Sequence, residues 1–191
     1  MAIKIYIDQG HNPGAVNAGA SVPELEEQEV NYNVGTMLAG LLNHDERFKV
    51  RTSRTSPTYV VGYNTTSSLT TRVAEANAWP ADYFVSVHAN ANTNPAVNGA
   101  EAYVYSTGTQ AQYLAEHILE RIVQIVGIRN NAVRTNPSLY VLRKTTMPAV
   151  LVELGYLTNS SDLLYLLNDQ EEYAYAIYLG LLDYFGLQPS H

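Results

Sequence analysis

The sequence contains no cysteine, and this absence narrows the chemistry available to the chain. Disulfides, thiolate nucleophiles and cysteine-ligated metal sites are all excluded. Any metal that the protein binds must therefore be held by histidine, aspartate or glutamate. The chain has five histidines, and these are the first residues to consider as ligands.

Positive charge is also scarce, because 11 lysines and arginines stand against 18 aspartates and glutamates, a formal net charge of -7. Sequence-independent nucleic-acid binding relies on basic residues that neutralise phosphates, so we expect no nucleic-acid partner. No apolar stretch approaches the roughly 20 residues needed to span a bilayer. After Met1 the chain runs into a strand-like segment rather than a signal peptide. We therefore expect the chain as given to be soluble, without membrane insertion.

What the chain does have is enough apolar residues for one core. With 191 residues, 46% of them hydrophobic, residues 1–191 are expected to form a single domain. Hydrophobic periodicity predicts alternating strands and helices. The predicted strands span residues 3–7, 48–52, 82–88, 100–105, 139–142 and 149–153, and the predicted helices span 24–42, 72–78, 110–126 and 160–185. This alternation predicts an α/β fold, a largely parallel twisted sheet with helices on both faces.

Two helix boundaries have specific signals. Ser21 and Glu24 have the spacing of a capping box, which predicts that the first helix begins near Glu24. Gly127 follows a strongly periodic apolar segment and is expected to end the helix over 110–126.

Polar residues with metal-binding or acid-base chemistry stand at or just beyond the ends of three predicted strands. These residues are His11, His88 and Glu153. Parallel strands place functional groups at their carboxyl ends, so the three side chains are candidates for one site. Glu27 lies in the first helical turn after the loop that carries His11 and could reach the same place.

Each of these residues has an ordinary explanation when it is taken alone. A loop or strand-end histidine is often structural, and Glu27 could lie on a solvated helix face or complement the helix dipole. Glu153 differs because it ends an apolar strand, where a carboxylate needs a partner or a function. A catalytic zinc takes three protein ligands and leaves one position open. His11, Glu27 and His88 could supply such a set, and Glu153 would remain as the base.

Several motifs, in order along the chain, resemble the zinc-dependent N-acetylmuramoyl-L-alanine amidases of type 3, a family of autolysins, cell-division and sporulation enzymes and phage endolysins. The motifs are Asp8-Gln9-Gly10-His11, Glu27-Gln28-Glu29-Val30-Asn31, Ser86-Val87-His88-Ala89-Asn90 and the segment from Pro148 to Asn159. Gln9 and Asn12 depart from the family pattern, which has proline and glycine at these positions. The second motif selects Glu27 as a ligand over Glu24 and Glu26, which remain alternatives.

The resemblance implies that His11, Glu27 and His88 bind Zn²⁺ and that Glu153 is the catalytic acid-base group. It also implies hydrolysis of the amide bond between N-acetylmuramic acid and L-alanine in peptidoglycan. Arg143, at the end of the predicted strand over 139–142, could pair with a carboxylate of the stem peptide or form a structural ion pair. We expect a monomer at the cell wall or outside the cell, with an export route that the chain itself does not reveal.

Two other functions remain as alternatives. A zinc peptidase acting on stem peptides could use the same groups, although the ligand order differs from the helical His-Glu-x-x-His pattern. A catalytically silent wall-binding or regulatory module of the same fold is the second alternative. No metal role is expected for His44, His117 or His191.

Overall fold

The computed structural model describes residues 2–189, so residues 1, 190 and 191, including His191, lie outside the described part. A six-stranded sheet with helices on both faces is the central feature. The strands are β1 (Ile3–Gln9), β2 (Ser21–Val22), β3 (Leu25–Glu26), β4 (Phe48–Thr52), β5 (Tyr83–Asn90), β6 (Ala100–Val104), β7 (Asn130–Thr135) and β8 (Ala149–Tyr156). The helices are α1 (Glu27–Asn43), α2 (Thr65–Ala78), α3 (Gln110–Val126), α4 (Tyr140–Lys144), α5 (Ser160–Asn168) and α6 (Gln170–Phe185).

The strand order of the main sheet is β4-β1-β5-β8-β6-β7. The first four strands in this order are mutually parallel, whereas β6 is antiparallel to β8 and β7 is parallel to β6. The predicted α/β class with a largely parallel sheet is therefore confirmed, with β6 and β7 running in the opposite direction. Because β1, β5 and β8 are adjacent and parallel, their carboxyl ends lie side by side at one edge.

Alternate residues of each central strand enter two different cores, as the period of a strand requires. In β1, Ile5 and Ile7 belong to the larger core, which α1, α3 and α6 cover. Tyr6 belongs to the smaller core, which α2 and α4 cover. The same alternation puts Asp8 on the α2 side. Helices thus pack on both faces, which explains the nearly continuous apolar character of these strands.

Helix α3 agrees with its prediction at both ends. It spans Gln110–Val126, and Gly127 follows in the left-handed conformation with φ of 80°. Such a residue commonly ends a helix, and glycine adopts this conformation without a steric cost. The side chain of Thr109 accepts a hydrogen bond from the backbone N–H of Gln112 at the other end.

The predicted start of the first helix is wrong. Ser21 pairs with Glu26 in a short β2–β3 hairpin, so α1 begins only at Glu27. The capping-box interpretation of Ser21 and Glu24 is also wrong, because Glu26 is the N-cap and makes no side-chain cap bond. The backbone N–H of Glu27 donates to the carbonyl of Ala20 at 2.9 Å, which fixes the start of the helix against the preceding loop.

The segment predicted as a strand over 139–142 forms helix α4 instead. The carbonyl of Leu139 accepts hydrogen bonds from the backbone N–H groups of Leu142 and Arg143. Val141 and Leu142 are buried in the smaller core. A short apolar run is compatible with either structure, and here the packing against α2 decides.

Other differences concern the lengths and number of elements. Helix α2 begins at Thr65, earlier than predicted, where Asn64 and Ser67 form a capping box. Strand β8 continues to Tyr156, beyond the predicted end at Glu153. The polar edge strand β7 was not predicted, and the long C-terminal helical segment divides into α5 and α6. Within residues 2–189, no helix is both long and apolar enough to cross a membrane.

Candidate metal and hydrolytic site

The carboxyl ends of β1, β5 and β8 bring the predicted site residues together. His11 follows β1, His88 lies near the end of β5, and Glu153 is its register partner on β8. Glu27 comes from the first turn of α1. All four line one cavity of about 520 Å³.

Glu27 contacts both histidines in this cavity. The Oε1 atom of Glu27 lies 3.1 Å from Nε2 of His11 and 3.0 Å from Nδ1 of His88. One potential ligand atom from each residue lies within 4.8 Å of the others, and within residues 2–189 this is the one such His/Cys/Asp/Glu group. The three residues therefore form a compact candidate metal site.

A backbone carbonyl near His11 orients the ring of this residue. Its Nδ1 atom lies 3.1 Å from the carbonyl oxygen of Asn17. A hydrogen bond between Nδ1 and this carbonyl fixes the ring with its other nitrogen, Nε2, facing Glu27. Metal-binding histidines are commonly oriented by such a bond from their second nitrogen. His11 also adopts a positive φ of 65°, a conformation uncommon outside glycine that often occurs at functional sites.

Glu27 is 5% exposed. Its carboxylate is ionised and is surrounded by hydrogen-bond donors. Burial on its own would raise the pKa of Glu27, but hydrogen bonds from His11 and His88 hold this pKa well below its ordinary value. Burial likewise opposes protonation of His11, yet the carboxylate of Glu27 raises the pKa of His11 overall. The second oxygen of Glu27 accepts a hydrogen bond from the backbone N–H of Ala20 at 2.9 Å. A carboxylate is therefore held in place between two imidazole rings.

The ring of His88 occupies the space that a side chain at position 10 would need, and Gly10 has no side chain. A Cβ atom built on Gly10 would lie 2.4 Å from Cε1 and Nε2 of His88. This distance is far too short for two non-bonded atoms, so any larger residue at position 10 would displace the ring. The glycine between Gln9 and His11 is thus required by the geometry of the site.

The fold also changes the acid-base behaviour of Glu153. Its Oε2 atom is buried and has no hydrogen-bond partner within residues 2–189. Burial raises the pKa of Glu153 well above its ordinary value, and the negative charges of Glu27 and Glu101 raise it further. An unpartnered buried carboxyl oxygen is costly unless it has a function. A carboxyl group whose pKa is raised in this way is suited to general acid-base catalysis.

Arg72 stabilises the loop that carries His11. The sequence analysis did not identify it as a site residue. Arg72 is 1% exposed, and its guanidinium donates to Asp8 Oδ1 at 2.5 Å. It also donates to the backbone carbonyls of Gln9 at 2.7 Å and His11 at 2.5 Å. Burial would raise the pKa of Asp8, but Arg72 holds this pKa below its ordinary value. The pair fixes the end of β1 and the loop that follows.

The two residues that depart from the family pattern also have structural roles beside this loop. The side chain of Gln9 donates to Thr36 Oγ1 at 2.9 Å and accepts from the backbone N–H of Arg54 at 2.9 Å. Asn12 is fully buried, and its Nδ2 atom donates to the carbonyl of Val61 at 3.0 Å. Both therefore connect the His11 loop to neighbouring segments through hydrogen bonds.

The other candidate ligands lie elsewhere. Glu24, Glu26 and Glu29 are exposed, so Glu27 is the acidic residue of this segment that reaches the histidines. The Nδ1 atom of His44 lies 2.8 Å from the carbonyl oxygen of Gly40 at the end of α1.

Arg143 does not lie at a strand end as predicted. It is exposed on α4, its guanidinium is 5.9 Å from the ring centre of Tyr140, and it lines a second cavity of about 340 Å³. Leu139 and Tyr140, at the start of the same helix, line the cavity with the histidines. A short helix thus separates Arg143 from the site, and its predicted contact with substrate remains a prediction.

The residues present fit a catalytic zinc site. Two imidazole nitrogens and one carboxylate oxygen form a donor set that catalytic zinc uses, with one position left for water or substrate. The hydrogen bond between Nδ1 of His11 and the carbonyl oxygen of Asn17 orients the ring, as is common for histidine ligands of metals. Glu153 lies beside this set with a free carboxyl oxygen.

Comparison with known proteins finds relatives and a solved structure with matching names. The chain is 36% identical over 162 residues to the N-acetylmuramoyl-L-alanine amidase CwlM of Bacillus licheniformis, a match that covers 84% of the chain and 59% of the relative. It is 38% identical over 161 residues to the N-acetylmuramoyl-L-alanine amidase LytC of Bacillus subtilis, with 83% of the chain and 30% of the relative covered. The chain thus spans less than two thirds of the first relative and less than a third of the second.

A solved structure and a family model extend the match to nearly all of the fold. The crystal structure of an N-acetylmuramoyl-L-alanine amidase from Clostridium difficile 630 superposes with a TM-score of 0.85 at 30% identity, and 97% of each chain is covered. The family model Amidase_3, described as N-acetylmuramoyl-L-alanine amidase, matches residues 5–183. This range contains all four residues of the candidate site. The chain therefore belongs to the N-acetylmuramoyl-L-alanine amidase family of hydrolases.

Proposed function

We propose that this chain hydrolyses the amide bond between N-acetylmuramic acid and L-alanine in bacterial peptidoglycan, with Zn²⁺ held by His11, Glu27 and His88. The observation that carries the proposal is the buried, unpartnered carboxyl oxygen of Glu153 in the cavity that the three ligand residues line. Such an arrangement combines a metal-binding set with a free acid-base group.

The chain's own residues divide the work of amide hydrolysis. Zinc bound by His11, Glu27 and His88 would supply Lewis-acid polarisation of the amide carbonyl and activation of a water molecule. Glu27 brings one negative charge to the site and is held by Ala20 and the two histidines.

Glu153 solves the leaving-group problem. An amide nitrogen departs readily only if it is protonated, because its anion is too basic to leave. The raised pKa of Glu153 suits a group that accepts a proton from water and delivers it to this nitrogen. Its free Oε2 atom makes no bond within the described part of the chain that would have to break first.

Cleavage of a glycosidic bond is disfavoured because other groups already engage both carboxylates near Glu153. Glu27 is held by the two histidines and Ala20. Glycosidases need two carboxyl groups that flank the scissile bond. Glu101, on β6, is the register partner of Glu153 on β8, but it is 1% exposed. It accepts hydrogen bonds from the hydroxyl of Tyr156 at 2.7 Å and from Asn90 Nδ2 at 3.0 Å. Glu101 therefore serves an internal network rather than a substrate.

Peptidoglycan as the substrate and the cell wall or the extracellular space as the location follow from the family and are part of the same proposal. A relative from Staphylococcus epidermidis, 31% identical over 187 residues, is named a probable cell wall amidase. Monomeric action remains our expectation.

The proposal is tested by incubating the purified chain with purified peptidoglycan and measuring new amino groups and new reducing ends separately. We expect amino groups to appear without reducing ends. Chelation should stop their release, and added zinc should restore it. Reducing ends without amino groups would contradict the proposal, as would zinc binding with no hydrolysis, which would favour a silent wall-binding module.

We expect Arg143→Ala to have only a mild effect. Because Arg143 lines a cavity beyond Tyr140, its loss should raise KM for peptidoglycan about two- to fivefold, the effect expected of one exposed ionic contact. Steady-state kinetics of this variant and of Lys144→Ala, an exposed neighbour on α4, would measure the difference. Equal KM values for both variants and the unchanged chain would remove Arg143 from substrate binding.

A further inference from the structure

Three large apolar side chains are exposed within five residues of the loop that joins β4 to α2. Tyr63 is 82% exposed, Tyr59 is 44% exposed and Val60 is 40% exposed. Single exposed apolar residues are common, but a cluster of them on one segment marks an interaction surface. We call residues 59–63 the tyrosine loop.

The backbone of the tyrosine loop is held in place although its side chains are exposed. Val61 is 1% exposed, and its N–H and carbonyl both bond to the side chain of Asn12, each at 3.0 Å. Gly62 has φ of 76°, and a Cβ atom on it would lie 2.5 Å from the backbone nitrogen of Ser68. A rigid loop that presents aromatic rings loses little entropy when it binds a ligand.

The loop lies at the same edge of the sheet as the site. Strand β4 is parallel to β1, so the loop leaves the sheet at the carboxyl end, as the His11 loop does. Asn12, which bonds to Val61, is the residue next to His11. After the loop, α2 contributes Leu69 and Arg72 to the lining of the cavity. The backbone of the tyrosine loop is therefore joined through Asn12 to the loop that carries His11.

The segment that carries these rings has no charged residue. From Thr55 to Thr71 the sequence has no acidic, basic or histidine residue, although the whole chain has a net charge of -7. Thr58, Asn64 and Thr65 are exposed in this stretch. Aromatic rings that project among neutral hydroxyl and amide groups suit an uncharged, hydroxyl-rich ligand with apolar ring faces, which is the chemistry of a sugar chain.

We propose that the tyrosine loop binds the glycan strand of peptidoglycan, with Tyr59 and Tyr63 against the faces of sugar rings. This inference rests on the proposed function, because the glycan must pass the site when the lactyl amide is cut. The loop holds the glycan, and the stem peptide extends into the cavity.

Binding without hydrolysis tests this inference directly. Isothermal titration would measure the affinity of the folded chain for a glycan of N-acetylglucosamine units, which has uncharged N-acetylated sugar rings and no lactyl amide to cut. We expect Tyr59→Ala with Tyr63→Ala to weaken binding about tenfold, which corresponds to about 1.4 kcal/mol. Tyr63→Phe should retain most of the affinity because it keeps the ring. Tyr113→Ala, which changes a tyrosine that is 54% exposed on α3, should bind as the unchanged chain does.

Three results would overturn the inference: no glycan binding by the unchanged chain, equal affinity in the double alanine variant, or an equal loss in Tyr113→Ala. Loss of affinity for free stem peptides, with glycan binding intact, would assign the loop to the peptide instead. A chain that binds glycan through these tyrosines but releases no stem peptides would contradict the proposed function and leave this inference standing.

Discussion

Glu153→Gln is expected to lower the rate of amide hydrolysis by roughly 10² or more, the loss typical of a general acid-base group. The amide has nearly the shape of the carboxyl group but cannot accept and return the proton. Because Oε2 of Glu153 has no partner within residues 2–189, the change breaks no hydrogen bond there. The fold and the bound zinc should therefore be retained.

Single-turnover and steady-state rates, together with zinc content and thermal unfolding, would separate catalysis from structure in this variant. Glu120→Gln is a matched control, because it makes the same change at an exposed position of α3. We expect the control to behave as the unchanged chain does. Near-normal turnover by Glu153→Gln would remove Glu153 from the mechanism.

His11→Ala and His88→Ala are each expected to abolish tight zinc binding. Either change leaves two protein ligands, and catalytic zinc sites use three. Elemental analysis of the purified variants after dialysis would measure the loss. His44→Ala should keep full zinc content, since this histidine is exposed at the end of α1. Full occupancy in both His11→Ala and His88→Ala would contradict the ligand assignment.

Glu27→Ala extends the same test to the carboxylate ligand. Glu27 touches both histidines, whereas Glu26 is exposed and accepts a bond from Gln28. We therefore expect zinc to be lost from Glu27→Ala and kept by Glu26→Ala. The reverse result would move the third ligand to Glu26.

The positions of the two candidate histidine ligands could be predicted because they depend on strand ends. His11 and His88 follow or close apolar parallel strands, and such strands end at a common edge. Strong periodicity likewise predicted α3 at both ends. In these cases the local pattern and the tertiary packing favour the same structure.

Other features depend on packing that a local pattern does not contain. Helix α4 resembles a strand in sequence, and its burial against α2 decides its structure. Arg72 and Asp8 look like ordinary charged residues in the sequence, and only the fold brings them together as a buried pair. A signal for this pair does exist, since Asp8 ends a β-branched run in which an unpaired charge would be costly. The lack of a hydrogen-bond partner for Oε2 of Glu153 within residues 2–189 depends on the positions of all the surrounding side chains.

The central claim is the identity of the bond, and the masses of the fragments released from purified peptidoglycan test it most directly. We predict stem peptides with a free L-alanine amino terminus, together with intact glycan strands that have no new reducing ends. A zinc peptidase would also create amino termini, but within the stem or the cross-bridge. New amino groups only on residues other than the first alanine would contradict the amidase assignment, even if the zinc site were correct.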